Sequence, residues 1–455
     1  MLRNWSLFWT YIKKIAFLGS PRFTKYALVV FLFLLPFGTK KLLLTPSLYL
    51  IDYTALFLYA TDIVLLLVLF LYGIKDVIRA VKTEFPLLLF LLFVLLSYFV
   101  SFRPEVSIIF IVRIILFSLL AVIIKKLYET KELSLSLIFI PLFFSACVQA
   151  SIGVFQFFQQ GSIGLQIFGE PFVNNILLPE IAKAFIGGGR VLRVFGTMPH
   201  ANVFAAHCVL GIISGCALFF ETKTKGMFRW ILFFGMILLW LGILFSFSRS
   251  GFIAAIFVSL LFLIYGFFKK EMRVHAFSFL IGTVCFFFII LLSYSSILTS
   301  RKTFSRDEPS VDHRIVYNEI GGKIMLSNPL GVGIGSHALY ALDQNLYEKN
   351  NLLLSWLAQP VHNIFIIAFA ELGVLGGCAF LFFISSFFWS FFRRGFRFLK
   401  LYVYECTIFF CIVFFVFWFG VLDHFFWDIH QGMLMFWVSI GIMMAIRPHS
   451  LMERA

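Results

Sequence analysis

The sequence predicts an all-α fold, a polytopic transmembrane helical bundle of about 12 spans, and two observations carry that prediction. Hydrophobic residues make up 61% of the 455 positions and charged residues only 13%, whereas soluble domains are about half apolar and a quarter charged. Apolar runs of about 17 residues or more also recur along the chain, and that length is enough to cross a bilayer. We therefore treat residues 1–455 as a single integral membrane domain.

The apolar runs define the predicted spans in order. They lie near 26–38, 54–74, 85–101, 106–124, 134–157, 201–220, 228–247, 251–268, 274–297, 363–392, 401–421 and 430–446. The first run is short for a bilayer of about 30 Å. No small-x-small cleavage site follows it, so we expect an uncleaved span. The basic, aromatic segment Asn4–Leu18 before it is predicted to lie along the inner surface.

Basic residues alternate between the short loops and predict the orientation of the chain. With both termini cytoplasmic, every short inner loop carries at least three: Lys75, Arg79 and Lys82; Lys125, Lys126 and Lys131; Lys223, Lys225 and Arg229; Lys269, Lys270 and Arg273; Arg393, Arg394, Arg397 and Lys400. The short outer turns hold fewer basic residues, as the positive-inside rule requires. This topology accounts for most of the net charge of +15, and we expect no nucleic-acid partner.

The pattern of cysteine and acidic residues argues against a metal or cofactor. All seven cysteines lie inside apolar segments without CxxC or CxxH spacing, which argues against a disulfide framework or a zinc site. The turn DHFFWDIH, Asp423–His430, has spacing that could hold a metal. Elsewhere the chain lacks the aspartate pair that binds sugar nucleotides through a cation. We therefore expect neither a metal nor a cofactor.

Two long connections interrupt the spans, at about 158–200 and about 298–362, and the predicted topology places both outside. Long connections in a compact bundle are usually functional. The second connection is polar, with a predicted helix at Asp312–Leu326 that ends at Asn328-Pro329. Its glycine run GVGIGS, 331–336, lacks the strand and helix of a nucleotide-binding loop, so a tight turn or a phosphate nest is favoured.

Ionisable and amide side chains gather at the predicted outer face. They are Arg190, Arg193, His200, Asn202, Arg249, Arg314, His362, Asn363, Asp423, His424 and Asp428. Each arginine alone could be an interfacial anchor. Several arginines facing one cavity, however, match the oxygens of a diphosphate, because each guanidinium offers a planar fork of donors. The pattern therefore indicates an anion site.

Arg113, Glu371 and His362 lie at or below this face and carry separate predictions. Arg113 and Glu371 fall inside spans, where a charge needs an interior partner. They are predicted either to pair with each other or to leave Arg113 to bind a substrate phosphate. His362 stands at the start of the tenth span, and an imidazole there can handle protons near neutral pH. Capping of the helix start is the alternative role for His362.

Four motifs in order resemble the O-antigen ligase and O-antigen polymerase superfamily. They are RVFGTMPHANVFA, FSFSRSG, HRIVYNEIGGKIMLSNPLGVGIGSH and HNIFIIAFAELGVLGG, within about 190–380. The resemblance implies a metal-independent bacterial inner-membrane glycosyltransferase with its site facing the periplasm. Its implied donor is an undecaprenyl-diphosphate-linked glycan. Arg249, Arg314 and one of Arg190 and Arg193 are then implied to grip the diphosphate, and His362 to assist the acceptor hydroxyl.

The resemblance leaves the acceptor open. A lipid A core sugar would make the protein a ligase, a second repeat unit a polymerase, and a Ser or Thr a protein glycosyltransferase; the ligase is slightly favoured. A lipid-linked glycan flippase is the alternative from another class. Against it stand the absence of an internal repeat and the gathering of polar residues at one face, because alternating-access transporters bind near the midplane.

Overall fold

The structure is a computed structural model that describes residues 21–45, 51–173, 183–186, 189–293, 309–352, 358–392 and 401–446. The predicted surface segment Asn4–Leu18 and the basic loop Arg393–Lys400 lie outside the described residues. Most of what is described is helical. The helices are α1 Pro21–Leu34, α2 Ile51–Thr54, α3 Ala60–Tyr72, α4 Ile74–Val81, α5 Phe85–Leu96, α6 Pro104–Glu129, α7 Leu135–Gln159, α8 Ala201–Phe219, α9 Gly226–Ser246, α10 Arg249–Phe268, α11 Arg273–Ser293, α12 Pro309–Ser327, α13 His337–Asp343, α14 Ile364–Phe392, α15 Val403–Leu422, α16 Phe425–Asp428 and α17 His430–Ala445.

Within the described ranges, eight helices are long and apolar enough to cross a membrane: α6, α7, α8, α9, α10, α11, α14 and α15. The pair formed by α4 and the segment Phe85–Val100 would make a ninth span, although it is bent by 103°. The apolar helices α1, α3 and α17 are shorter. The membrane bundle is thus confirmed, whereas the count of 12 spans and the cytoplasmic position of both termini stay predictions.

The helix starts follow local sequence signals. Ser134 accepts a hydrogen bond from the Leu137 amide at the start of α7, and Ser248 accepts one from the Gly251 amide at the start of α10. These are N-cap contacts that satisfy amides left free by the first turn. Proline stands in the first turn of α6, where its missing N–H costs nothing.

Helix α8 forms the centre of the bundle. Every one of its residues is buried, and it packs against α7, α9 and α10. Small residues permit this close packing. A Cβ added at Gly211 would lie 2.4 Å from the Ala146 Cβ, and one at Gly215 would lie 2.8 Å from the Phe143 ring. Because α8 is enclosed, Asn202 in its first turn faces protein rather than lipid.

Two short β-hairpins accompany the helices, which make up most of the described residues as predicted. The first pairs β1 Lys40–Leu44 with β2 Leu56–Tyr59, and the second pairs β3 Lys183–Ile186 with β4 Gly189–Leu192, both antiparallel. Neither hairpin shows in the hydropathy pattern, because β2 falls inside the second predicted span and β4 inside the first long connection. As a result α3 begins at Ala60, later than the apolar run that starts near 54.

The long connection between α11 and α14 contains the predicted helix, here α12, and the shorter α13. The glycine run 331–336 that follows α12 lies against a break in α14. The Val332 amide donates to the Ala370 carbonyl at 3.0 Å, and the Gly333 amide donates to the Glu371 carbonyl at 3.0 Å. Gly373 opens the helix there with a φ of 72°. The run is therefore a docking segment, which agrees with rejecting a nucleotide-binding loop.

Candidate active site

Three parts of the chain meet at one end of the bundle. Arg314 comes from the first turns of α12, His362 from the residues before α14, and Asp423 with His424 from the connection after α15. Arg314 Nη2 lies 3.6 Å from Asp423 Oδ2, and the rings of His362 and His424 have centroids 4.7 Å apart at 80°. We call these four residues the Asp423 cluster. It joins two of the motifs to the last predicted outer turn.

Asp423 is the centre of this cluster. It follows the last residue of α15 in extended conformation, and its carboxylate accepts the Asn202 Nδ2–H at 2.9 Å and the His424 amide at 2.9 Å. Asn202 lies at the start of α8, so the bond joins the two helices. A buried carboxylate with two hydrogen bonds and a guanidinium nearby is held in its ionised form.

Arg193 is joined to the cluster through Asn202. Its Nη2 donates to Asn202 Oδ1 at 2.8 Å, and its Nε donates to the Ser246 carbonyl at 2.8 Å. Arg190 instead is exposed on β4, in register with Phe185 on β3. Sequence analysis left these two arginines open, and the structure favours Arg193 as the one that belongs with Asp423.

Arg249 is the first residue of α10, in the turn that Arg193 contacts. Ser246 ends α9, Phe247 adopts a positive φ of 51° and Ser248 caps α10. The side chain of Arg249 is half-buried. Arg193 binds the carbonyl of Ser246 and the side chain of Asn202. The turn that carries Arg249 is therefore held next to Arg193 and Asn202.

His362 is held in one tautomer by its own backbone neighbourhood. Its Nδ1 lies 2.9 Å from the Pro360 carbonyl, and its ring stacks on Tyr317 with centroids 5.3 Å apart at 16°. A carbonyl only accepts, so Nδ1 carries the proton and Nε2 keeps its lone pair. The imidazole is therefore arranged to accept a proton or a hydrogen bond at Nε2.

Capping of α14, the alternative role for His362, belongs to Asn363. Its Oδ1 accepts the amides of Phe365 at 2.9 Å and Ile366 at 3.2 Å. The Asn363 side-chain oxygen is thus used by the helix, which leaves only its Nδ2 for the substrate contact predicted from sequence.

Burial and charge together set the protonation of the cluster. Burial, with His424 and Arg314 adding to it and Asp423 opposing, lowers the pKa of His362 to about 3. Burial alone would raise the pKa of Asp423, but His362, His424 and Arg314 bring it below its usual value. Burial alone would lower the pKa of His424. Asp428 Oδ1, 2.7 Å from His424 Nδ1, outweighs burial, and the pKa of His424 is raised. His362 is therefore a neutral group beside an ionised carboxylate.

The same residues include a possible metal-ligand set. His362, Asp423 and His424 can each direct one ligand atom to within 4.8 Å of the others. Asp423 Oδ2, however, already accepts from Asn202 and lies 3.6 Å from Arg314. A guanidinium at that distance opposes a divalent cation. The geometry permits an ion, and the surrounding charge disfavours one.

Arg113 and Glu371 do not pair with each other. Arg113 Nη2 donates to the Phe57 carbonyl at 3.1 Å. Glu371 accepts the His337 Nδ1–H at 2.6 Å on one oxygen and the Trp427 Nε1–H at 2.7 Å on the other. The predicted pairing is therefore wrong, because each charge finds a nearer partner on a different element.

The Glu371 contacts support the segment that carries His362. His337 Nε2 accepts the amide of Val361 at 3.3 Å, so the His337 ring links a buried carboxylate to the residue before His362. Glu371 is fully buried. This network and the Tyr317 stack could not be found from sequence, because the spacing of these residues along the chain does not show that they meet.

Residues 234–381 match the family model described as O-Antigen ligase, about a third of the chain. The match contains Arg249, Arg314 and His362, whereas Arg113, Arg193 and Asp423 lie outside it. No curated protein matches the chain. The matched region confirms that residues 234–381 resemble the O-antigen ligase superfamily, as the motifs indicated.

Proposed function

We propose that this protein transfers a glycan from an undecaprenyl-diphosphate carrier to an acceptor hydroxyl at the outer face of the bacterial cytoplasmic membrane. The observation that carries the proposal is the meeting of Arg314 and His362 on Asp423. A cation suited to phosphate and a neutral imidazole thereby lie in one place. These are the two groups that glycosyl transfer from a lipid diphosphate requires.

The arginines bind the donor diphosphate. Arg314 reaches the cluster from the loop helix, Arg193 is held by Asn202, and Arg249 lies on the turn that Arg193 contacts. As the bond between the anomeric carbon and the phosphate oxygen breaks, negative charge grows on the departing undecaprenyl diphosphate. Fixed guanidinium groups stabilise that charge, which is the largest contribution in many such reactions.

His362 acts on the acceptor. With Nδ1–H held by the Pro360 carbonyl, Nε2 accepts the hydroxyl proton while the oxygen attacks the anomeric carbon. Asp423, close to both rings, balances the positive charge that forms on the imidazole. The reaction consumes no nucleotide and needs no metal ion, because the Arg314 and Arg193 guanidinium groups supply the positive charge.

The acceptor defines the subclass. Transfer to a lipid A core sugar is the ligase reaction and is the one we favour; transfer to another glycan repeat is the polymerase reaction, and both use the same donor chemistry. The deciding experiment mixes purified protein in lipid nanodiscs with the diphosphate-linked glycan and each acceptor, with chelator and without nucleotide.

Product formation with chelator present supports the proposal and identifies the acceptor. His362→Gln and Arg314→Lys are the test variants, and Arg190→Lys is the matched control. Transfer that requires a divalent cation would contradict the metal-independent mechanism. Movement of the donor across a bilayer without any glycan transfer would contradict the proposed enzyme activity and identify the protein as a flippase.

A further inference from the structure

A second group of polar residues surrounds Arg113. Its Nη2 contacts the Phe57 carbonyl on β2, and its guanidinium lies 5.7 Å from the centre of the Tyr59 ring. Tyr59 stacks on His430 with centroids 3.7 Å apart at 2°. Thr61 and Asp62, in the first turn of α3, complete what we call the Arg113 cluster. It joins the first hairpin, α3, α6 and the start of α17.

Two helices begin at this cluster, and both are shorter than a full span. Helix α3 starts at Ala60 and α17 starts at His430, with 13 and 16 residues. Strand β2 precedes α3, and the segment 423–429, whose only helix is the four-residue α16, precedes α17. Non-helical backbone at membrane depth is tolerated where it is buried in protein or lines a wet cavity. Helix N-termini at such points carry partial positive charge and face anionic groups of substrates.

The side chains of the cluster have unused hydrogen-bonding capacity. His430 is 2% exposed; its Nε2 bonds to Thr61 Oγ1 at 2.8 Å, and its Nδ1 is a buried atom without a hydrogen-bond partner among the described residues. Arg113, 8% exposed, directs only one hydrogen bond to a described residue, out of five guanidinium N–H groups. A buried cation and a buried imidazole nitrogen of this kind indicate a ligand.

The nearby charges define the ligand as an anion. Asp62 is the nearest acid, and its Oδ2 accepts the Tyr59 amide at 3.0 Å while its Oδ1 lies 3.8 Å from His430 Nε2. Lys40 lies on β1 with its Nζ 4.0 Å from the centre of the Phe57 ring. Two cations against one carboxylate, beside two helix starts, leave the cluster positive.

The cluster lies next to the candidate active site. Helix α16, four residues long, separates His424 from His430, and the Tyr53 ring lies 5.4 Å from the His424 ring. The short segment 425–429 thus links His424, which contacts His362, to the Arg113 cluster. The proposed function already assigns the donor diphosphate to Arg193 and Arg314, which contact Asn202 and Asp423.

We propose that the Arg113 cluster binds a phosphate or carboxylate group of the acceptor glycan, so that this protein selects acidic acceptors. The proposal rests on the proposed function, which supplies the acceptor. An anionic phospholipid headgroup has the same chemistry and is the other source of such a group, and the experiment separates the two.

The test variant is Arg113→Gln, with Arg113→Lys to keep the charge. The matched control is Arg103→Gln, because Arg103 lies just before the same helix, half-exposed, with its nearest acid, Glu105, at 3.7 Å. Transfer is measured against the concentration of an acceptor glycan carrying a phosphate and of the same glycan without it. We expect the Gln variant to raise the KM for the phosphorylated acceptor about ten- to a hundredfold, the loss of a charge-assisted hydrogen bond. The KM for the neutral acceptor and for the donor should not change.

An equal rise in KM for both acceptors would overturn the proposal, because Arg113 would then only hold the hairpin. No change for either acceptor would also overturn it. Thermal melting without donor tests binding separately from transfer. The phosphorylated acceptor should raise the melting temperature of the wild type and of Arg103→Gln, but not of Arg113→Gln.

The melting experiment is run in nanodiscs of phosphatidylcholine alone and with phosphatidylglycerol. Arg113-dependent stabilisation by phosphatidylglycerol and none by the acceptor would assign the cluster to lipid and overturn the acceptor assignment. If the acidic acceptor stabilises the protein but no glycan is transferred, the Arg113 cluster is still an anion site. That result would contradict the proposed function instead.

Discussion

Asn202 donates a hydrogen bond to Asp423 at 2.9 Å, and the two residues are 221 positions apart in the chain. The bond joins the start of the central helix α8 to the end of α15. Through Asn202 Oδ1 the same side chain also holds Arg193. One amide therefore keeps an arginine and the central carboxylate at a fixed distance from each other.

Asn202→Leu should leave both Arg193 and Asp423 without this partner. Loss of a hydrogen bond to a buried charged group costs about 1–3 kcal/mol, so we expect a lower melting temperature together with weaker transfer. Asn202→Asp places a second carboxylate beside Asp423 and should be worse than Leu. Thermal melting in nanodiscs checks both; a variant as stable as the wild type would show that the bond is not needed.

His362→Gln and Asn363→Ala should give opposite results although the residues are adjacent. His362 is the proposed base, so its loss should reduce kcat by about 10²–10⁴-fold with little change in stability. Asn363 caps α14, so its loss should cost about 1 kcal/mol of stability while each folded molecule keeps most of its activity. Rate and melting temperature, measured on the same samples, distinguish the two roles.

Arg314→Lys and Arg193→Lys should each reduce transfer strongly, whereas Arg190→Lys should not. Lysine keeps the charge but loses the planar fork that binds phosphate oxygens, and removal of one such contact commonly costs about 10²-fold or more in rate. Initial rates at saturating donor measure this. A large loss in Arg190→Lys with normal Arg193→Lys would reverse our choice between the two.

Stability should fall as the medium becomes acidic, and His362 should contribute to the fall. Its pKa is about 3 in the folded protein, against an ordinary value of 6.5. Between these values the unfolded chain binds a proton that the folded protein does not. A falling pH therefore stabilises the unfolded state relative to the folded state. The contribution of His362 to the free energy of unfolding is fully present above about pH 6.5 and decreases below that pH.

The comparison of wild type with His362→Gln isolates this contribution. The melting temperature of the wild type should decrease more steeply from about pH 6.5 to about pH 4 than that of the variant. His200, whose pKa burial lowers to about 4, is retained in both proteins and contributes equally. Parallel curves would mean that His362 is already protonated in the folded state.

The sequence predicted the bundle because lipid demands long apolar runs, and the helices α6–α10 begin and end within a few residues of those runs. It also placed Arg314, His362 and Asp423 in a common region, since the predicted topology puts each of them at the outer face. It could not separate Arg190 from Arg193, because the two lie only three positions apart at the end of a hairpin. Only the folded hairpin shows which of them contacts Asn202. The β-hairpins were missed because a short apolar strand such as Leu56–Tyr59 has the hydropathy of a helix.

The partners of the buried charges were equally beyond the sequence. Arg113 and Glu371 have similar depth in their spans, and depth alone suggested a pair. The actual partners, the Phe57 carbonyl and the His337 and Trp427 side chains, depend on how the hairpin and the loop fold back. Residue spacing carries no information on such contacts between distant segments.

The docking of the glycine run into the break of α14 limits how the site can open. A Cβ at Gly331 would lie 2.3 Å from the Glu371 carbonyl oxygen, so loop and helix touch through bare backbone at that point. We therefore expect the glycine run and α14 to move as one rigid unit. Any motion that opens the site must occur in the chain on either side of this contact. A larger side chain at Gly331 would force the glycine run away from α14.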